Sequence, residues 1–332
     1  MRLRTVGDSG LVVSDIGLGT LTWGKDTDSD ESQALLTIFA DEGGTLIDTS
    51  PAFGSGAAEH QIGSLFTSAF NRSDFVICTR ASFHFRDGHI ATRTSGRGAL
   101  YDSVAGSLAR LNTSYIDVLC VEGDDLPAPD EETAEALASL VTRGLVRYIG
   151  LADFPAWRIS AIDQLLQERR LPALTAVESE YSLLSRSIEK DILPMAHMRG
   201  LGVFATSALG RGVLSGQYIG TIPPTSRAAS ARLAEFVEPY LDDESSHIVQ
   251  ALVQAADGLD VPLTDIALGW ALADPAISSA LIGPRTAAQL ATSLHRIDQL
   301  PTIVQEALDD VSIERRATDH TPPARLFSMF AS

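Results

Sequence analysis

Asp48 and Phe53 stand where a short apolar run breaks into a turn. The run Thr45-Leu46-Ile47 has the length and composition of a buried strand, and Ser50 and Gly54 interrupt the pattern behind it. We expect this strand to deliver Asp48 and Phe53 to the mouth of a pocket. A carboxylate in that place can bind a cation or take part in proton transfer, whereas a benzyl ring has no proton to give.

Short apolar runs alternate with longer helical patterns along the chain, and we count eight of these runs. They are Ile16–Thr20, Thr45–Ile47, Phe75–Cys78, Ile116–Val121, Val146–Gly150, Ala173–Val177, Gly202–Ala205 and Ser279–Ile282. The alternation contains no antiparallel hairpins, which favours a parallel sheet covered on both faces. Eight such units predict an α/β fold, a (β/α)8 TIM barrel that forms a single domain over residues 1–332.

Four segments lie outside this alternation. Residues 1–14 carry a Gly7–Gly10 turn between two short strand patterns, and this predicts an N-terminal β-hairpin. The insertions Ser82–Arg97 and Arg211–Asp243 follow the third and seventh strands, so we expect long loops on the rim where barrel enzymes build their sites. The tail 313–332 has no core pattern of its own.

The composition excludes several classes of partner. The chain has 332 residues and a formal net charge of -18, which argues against nucleic acid and against an anionic membrane. No window has the length and apolar character of a signal peptide or a membrane span, so the expected location is the cytoplasm. Cys78 and Cys120 lie in apolar strand patterns, where buried free thiols are expected rather than a disulfide or a metal pair.

The run from Ile47 to Gly63 resembles the signature of the aldo/keto reductases, in which Asp, Thr, Ala, Tyr, Gly and Glu recur at this spacing. Further segments follow in the order of that family: Ser107–Asp117, Leu140–Leu151, Glu180–Arg186, Ala208–Gly216 and Ile282–Leu290. The resemblance covers nearly the whole chain. It implies a barrel whose floor is plugged by the hairpin, and an NADP(H)-linked oxidoreductase with the cofactor lying across the strand ends.

The catalytic positions that the resemblance implies are Asp48, Phe53, Arg80 and Glu122. The family has Asp, Tyr, Lys and His there, so three of the four residues differ. Carbonyl reduction needs an acid beside the substrate oxygen as well as a hydride donor, and Phe53 cannot be that acid. Ordinary carbonyl reduction is therefore predicted to be weak or absent.

The resemblance also implies a cofactor site that has changed at one end. Its residues are Thr20, Asp153, Glu178, Thr206, Leu209, Gly210, Arg211, Gly212, Arg285, Thr286 and Gln289. Ala152-Asp153, Glu178 and Thr206 stand where the family has a Ser-Asn pair, a glutamine and an aromatic residue at the nicotinamide. The phosphate end is better preserved, so binding of NADP(H) is expected to be altered at the ring.

The acids around the pocket support more than one interpretation. Asp48 and Arg80 either form part of the reactive site or make a structural rim ion pair, and Arg80 can clamp Asp48, Glu122 or a substrate carboxylate. Crowding with Asp48, Asp153 and Glu178 would raise the pKa of Glu122 and make it the proton donor, although Arg80 acts in the opposite direction. Asp153 and Glu178 either join this site or face water.

A divalent metal ion and the histidines of the first insertion are two further candidates for a role at the pocket. Several acids suit a divalent metal or a cationic ligand, but their spacing fits no metal motif, so no metal site is predicted. His84 and His89 in the first insertion are expected at the surface unless that loop closes over the pocket.

Three functions remain open at this point. The first is an NADP(H)-dependent oxidoreductase of altered chemistry, and the second is an acid/base enzyme without redox chemistry. The third is a non-catalytic ligand-binding or regulatory barrel, as the potassium-channel β subunits of this superfamily illustrate. Each predicts a small-molecule ligand of polar or cationic character and leaves the oligomeric state undetermined.

Overall fold

Eight parallel strands form the centre of the molecule. The structure is a computed structural model that describes residues 1–81, 83–86, 89–123, 128–224, 226–294 and 299–316, with the backbone alone for the described part of 83–93. The strands are β1 (Leu3–Thr5), β2 (Val12–Ser14), β3 (Ile16–Gly19), β4 (Leu46–Asp48), β5 (Val76–Ala81), β6 (Phe83–Arg86), β7 (His89–Arg93), β8 (Ile116–Glu122), β9 (Val146–Ala152), β10 (Leu174–Glu180), β11 (Gly202–Thr206) and β12 (Ile277–Ile282). Strands β3, β4, β5, β8, β9, β10, β11 and β12 close into a barrel in that order, which confirms the predicted (β/α)8 TIM barrel.

Helices surround the barrel, and in the described part of the chain four of them begin at a residue whose side chain caps the first turn. They are α1 (Ser29–Asp41), α2 (Ala57–Ser68), α3 (Arg97–Arg110), α4 (Asp130–Thr142), α5 (Ala156–Glu168), α6 (Ile192–Arg199), α7 (Ala234–Val237), α8 (Asp243–Leu259), α9 (Leu263–Ala271), α10 (Ala287–Ser293) and α11 (Thr302–Val311). The Asp28 carboxylate accepts from the backbone N–H of Glu31, and Asp242 caps α8 in the same way. Such caps satisfy amide groups that have no partner within the helix.

The N-terminal hairpin fills the floor of the barrel. Strands β1 and β2 pair antiparallel, and Val6, Leu11 and Val13 pack against inward-facing side chains such as Val118. Gly7 has φ +55°, and a Cβ there would lie 2.2 Å from the carbonyl oxygen of Gly200, so only glycine allows this approach. The predicted hairpin is confirmed, and the barrel is closed at this end.

The first insertion contains regular structure that a long rim loop alone does not predict. Strands β6 and β7 pair as an antiparallel hairpin. The sequence carries the signal, since Asp-Gly at 87–88 separates two segments rich in aromatic and β-branched residues. His84 and His89 lie on these strands, where the structure describes the backbone alone, so the predicted surface position of their side chains lies outside the described part.

The second insertion and the tail lie outside the regular alternation of strands and helices. The second insertion consists of short helical turns and α7, held against the barrel by buried side chains such as Phe236. Of the tail, 313–316 forms one 3-10 turn, and 317–332 lies outside the described residues. In the described part of the chain no helix has the length and apolar character needed to cross a membrane. Cys78 and Cys120 are buried free thiols, as predicted.

Candidate functional site

The ends of all eight barrel strands converge on one small pocket of about 140 Å³. Asp48 ends β4, Arg80 lies near the end of β5, Glu122 ends β8 and Glu178 lies on β10, and all four line the pocket. Phe53, Asp153 and Thr206 complete the predicted residues in its wall. The carboxyl ends of parallel barrel strands meet on one rim, and this explains why residues so far apart in sequence come together.

Arg80 is shared by three carboxylates. Its Nη2 lies 3.2 Å from Asp48 Oδ1 and also contacts Glu178 Oε1, and its Nε lies 3.9 Å from Glu122 Oε2. These four side chains are all buried. The predicted ion pair between Asp48 and Arg80 is confirmed, and the guanidinium fork contacts more than one acid at once.

One guanidinium cannot offset three buried carboxylates, and the protonation of the acids reflects this. Burial raises the pKa of Asp48, against the opposing charge of Arg80. Burial, with the neighbouring charge of Asp48 adding to it, raises the pKa of Glu178 to about 8. Glu178 therefore carries a proton at neutral pH. Glu178 lies deep in the barrel and is 1% exposed, while the role of Glu122 as the proton donor stays a prediction.

Phe53 stands over the Arg80 guanidinium. The distance from Arg80 Cζ to the ring centroid is 5.3 Å, a cation–π geometry. The residue begins a 3-10 turn in which Gly54 and Gly56 have positive φ, so the chain bends sharply and turns the half-buried ring toward the pocket. The benzyl ring covers the charged cluster but carries no exchangeable proton.

A groove of about 380 Å³ adjoins the pocket. Leu209, Gly212, Arg285 and Gln289 line it, all of them predicted cofactor residues. Gly283 lines both the groove and the acidic pocket, so the two spaces are neighbours. The groove has room, backbone edges and a cation, which are the features needed to hold a phosphate-bearing ligand.

Arg227 lies at the junction of pocket and groove, and sequence reasoning missed it. Its Nη2 donates to the carbonyl oxygen of Gly283 at 2.5 Å, while its buried Nε has no hydrogen-bond partner among the described residues. Burial lowers its pKa to about 10, and the charge of Arg285 acts in the same direction. The insertion 211–243 holds three arginines, Arg211, Arg227 and Arg232, and the sequence does not distinguish the one that reaches the pocket. Such a guanidinium is suited to bind an anion that spans both spaces.

Two predicted cofactor residues have their side chains in the scaffold. Thr20 Oγ1 donates to the carbonyl oxygen of Asp48 at 2.9 Å and so ties the end of β3 to β4. Arg211 forms an ion pair with Glu180 and donates to the carbonyl oxygen of Phe236 at 2.7 Å, and its guanidinium lies over the Phe236 ring. Neither side chain lines the pocket or the groove.

The remaining predicted residues shape the edge of the groove. Gly210 opens the turn Gly210–Ser215 with φ +55°. Thr286 caps α10 by accepting from the backbone N–H of Gln289, and Gln289 Oε1 accepts from the backbone N–H of Arg285 at 2.8 Å. These bonds fix the backbone that carries Arg285 beside the groove.

The sequence matches one protein family and is similar to individual proteins over nearly its whole length. Residues 15–312 match the model of the aldo/keto reductase family. The chain is similar to a protein of Oryza sativa subsp. japonica described as "Probable voltage-gated potassium channel subunit beta", with 29% identity over 315 residues, 94% of this chain and 95% of that protein. A protein of Arabidopsis thaliana with the same description is 28% identical over 317 residues, 94% of this chain and 95% of its own length.

Proposed function

This chain belongs to the aldo/keto reductase family, and on that premise we propose that it is an NADP(H)-binding oxidoreductase-type barrel in which ordinary carbonyl reduction is weak or absent. The observation that carries the proposal is the joining of two unlike spaces. A groove suited to phosphates adjoins a pocket whose polar groups are three carboxylates gathered on one guanidinium.

The groove supports binding at the phosphate end of the cofactor. Arg227 and Arg285 supply two cations, and the unpartnered Nε of Arg227 is a donor available to an anion. At Gly283 a Cβ would lie 2.8 Å from Arg227 Nη2, so the missing side chain keeps this approach open. In the bound state these residues would hold the phosphates and orient the dinucleotide toward the pocket.

The pocket fits the nicotinamide less well. A carboxamide has an N–H2 group that Asp153 and Glu178 can accept from, but its oxygen finds Ala152 where the family provides a hydroxyl. The bound cofactor would supply hydride. Phe53 supplies no proton to the alkoxide that hydride transfer leaves, and the loss of such a donor lowers a rate by about a hundredfold to ten-thousandfold. Proton donation by Glu178, which is protonated at neutral pH, supports residual activity.

Titration with NADPH, paired with an assay of aldehyde reduction, tests the two parts separately. We expect calorimetry to detect binding, Arg227→Gln and Arg285→Gln to weaken it about tenfold or more, and Arg143→Gln on the exposed end of α4 to leave it unchanged. We expect reduction of a small aldehyde to be slow. Absence of binding would refute the cofactor assignment, and turnover at rates typical of the family would refute the predicted loss of activity.

A regulatory, non-catalytic barrel is the second candidate. The rice and Arabidopsis relatives, described as probable channel β subunits, span nearly the whole of this chain, and the inert ring of Phe53 suits a protein that binds without turnover. This function predicts binding of a polar or cationic ligand, or of a cytoplasmic segment of a potassium channel. Steady-state turnover of any substrate that Asp48→Asn abolishes would count against it.

The acid/base enzyme remains the third candidate because two acids in the pocket have raised pKa values, Asp48 and Glu178. It predicts turnover in the absence of nicotinamide, with a rate that Glu178→Gln lowers and Phe53→Tyr does not raise. A requirement for added NADPH would contradict it.

A further inference from the structure

We propose that Cys78, Cys120 and Glu178 form a binding site for one thiophilic divalent cation, of which Zn²⁺ is the type, beneath the acidic pocket. This inference goes beyond the proposed function and does not depend on binding of a dinucleotide. It rests on the positions of three buried ligand atoms and on a carboxylate oxygen that accepts no hydrogen bond within the described residues.

The ligand atoms have the spacing that a metal ion requires. The two Sγ atoms and a carboxylate oxygen of Glu178 all lie within 4.8 Å of one another, the one such group of three found in the described part of the chain. The Cys78 and Cys120 Sγ atoms are 3.8 Å apart. Two thiolates bound tetrahedrally at about 2.3 Å from Zn²⁺ lie about 3.8 Å apart, so these sulfurs need no displacement.

Glu178 presents one oxygen to Arg80 and keeps the other for a ligand. Oε1 accepts from Arg80, whereas Oε2 is buried and accepts no hydrogen bond within the described ranges, and a metal ion would displace the proton that Glu178 holds at neutral pH. Metal-binding carboxylates commonly have their second oxygen held by an outer partner, which fixes their orientation. Arg80 supplies such a partner here.

The surrounding carboxylates favour a cation. Asp48, Glu122 and Glu178 gather around the Arg80 guanidinium beside the site, and all three are buried. A divalent ion on the thiolate side of Glu178 displaces the protons of the two thiols and of the carboxyl group, and its charge offsets that of the ligands. Gly150 leaves space beside the site, since a Cβ there would lie 2.8 Å from Cys120 Sγ. The acidic pocket above Glu178 provides the route of entry.

Metal loading of the full-length, reduced and tag-free protein tests the site. After incubation with Zn²⁺ and desalting, we expect elemental analysis to give one ion per chain. With Co²⁺ in place of Zn²⁺ we expect the near-ultraviolet absorption of a thiolate–cobalt bond, a signal that acids or histidines at the surface cannot produce. The cobalt measurement uses the wild-type chain and does not depend on the folding of a variant.

Substitutions then assign the ligands. Cys78→Ser and Cys120→Ser should each weaken binding by at least about a hundredfold, because even an outer-shell change costs about ten- to a hundredfold. Glu178→Gln should weaken it as well, while Glu235→Gln, which removes an exposed acid of α7 away from the cluster, should leave binding within about threefold of wild type. The proposal is wrong if the wild type retains no ion or gives no thiolate absorption, if the Ser variants bind as tightly as wild type, or if the two cysteines form a disulfide that excludes metal.

Discussion

At the scale of single residues, Arg80 determines the character of the pocket. Its guanidinium contacts Asp48, Glu122 and Glu178, and the Phe53 ring lies above it. A lysine in its place would have one compact charge and a pKa that neighbours can tune, but the pKa of Arg80 is too high for proton transfer. The residue therefore organises the acids without taking part in proton exchange itself.

Restoring the tyrosine alone should recover little reductase activity. Phe53→Tyr adds a phenol next to Arg80, which cannot lower its pKa as a neighbouring lysine can, so we expect less than about a tenfold gain in aldehyde reduction. Combining Phe53→Tyr with Arg80→Lys and Glu122→His should give about a hundredfold or more, the usual contribution of a positioned acid. NADPH consumption measures both, with Phe53→Leu as the control. A full recovery by Phe53→Tyr alone would show that the charged cluster is irrelevant.

Glu178 should make stability fall as pH rises. Its ordinary pKa of 4.5 is raised to about 8 in the folded protein, so between pH 5 and 8 the folded state holds a proton that the unfolded state has lost. Raising the pH through this window removes stability by at most about 1.4 kcal/mol per pH unit. Glu178→Gln cannot titrate, so its free energy of unfolding should gain on that of wild type as pH increases.

Urea unfolding at three pH values across that window measures the difference. Glu235→Gln, at an exposed position of α7, should follow wild type at each pH. A constant difference between Glu178→Gln and wild type would contradict the raised pKa.

The convergence of the pocket residues could be predicted, but their protonation could not. Asp48, Arg80, Glu122 and Glu178 all follow or end apolar runs, and parallel strands bring such positions to one rim. The pKa shift of Glu178 depends on its depth in the barrel and on its distance from Asp48, and neither quantity is encoded in local sequence.

At the scale of elements, a buried arginine attaches the second insertion to the barrel. Arg211 pairs with Glu180 at the end of β10 and lies over the rings of Phe236 and Tyr240. The same insertion carries Arg227 to the pocket. The clamp at Arg211 therefore helps to position the anion-binding residue on the neighbouring turn.

Arg211→Met should destabilise the protein and loosen this insertion. Removing one partner of a buried ion pair costs about 3–5 kcal/mol, and the cost here should fall toward the lower end because Glu180 is partly exposed. Urea unfolding measures the loss, and limited proteolysis should cut within residues 211–243 before the barrel is cut. The double variant Arg211→Met with Glu180→Leu should recover part of the stability. Unchanged proteolysis would contradict a role for the clamp.

The elements themselves were predictable to different degrees. The barrel strands follow from apolar runs of the right length, and the observed bounds differ from those runs by at most three residues at either end. The β6–β7 hairpin is harder to predict because its two strands are short, and so short an alternating pattern is also compatible with a loop. The role of Arg227 was missed because a rim insertion without periodicity gives no sequence signal for which side chain points inward.

At the scale of the whole molecule, charge opposes compactness. The chain has 25 Lys and Arg against 43 Asp and Glu, so the folded surface repels itself at neutral pH. Long-range repulsion is screened by salt more effectively than the buried ion pairs of the interior. Added salt should therefore weaken the repulsion between surface charges more than it weakens the buried ion pairs.

Added salt should stabilise the protein at neutral pH. We expect the melting temperature to rise by about 2–4 °C when NaCl increases from about 10 to 300 mM, because screening reduces the repulsion. The effect should disappear near pH 5, close to the pI of 4.7, where the net charge is small. Calorimetry at both pH values measures it, and destabilisation by salt at neutral pH would show that surface ion pairs outweigh the net charge.

Within the described residues, the plugged floor closes one end of the barrel, and the pocket opens at the rim. Because Val6, Leu11 and Val13 occupy the far end, anything that reaches Glu178 arrives past Arg227 and Phe53 and departs by the same way. Two ligands could then bind only in a fixed order, the one at Glu178 before the one nearer the rim. The inner ligand could dissociate only after the outer ligand had left, so the outer ligand would set the residence time of the inner one.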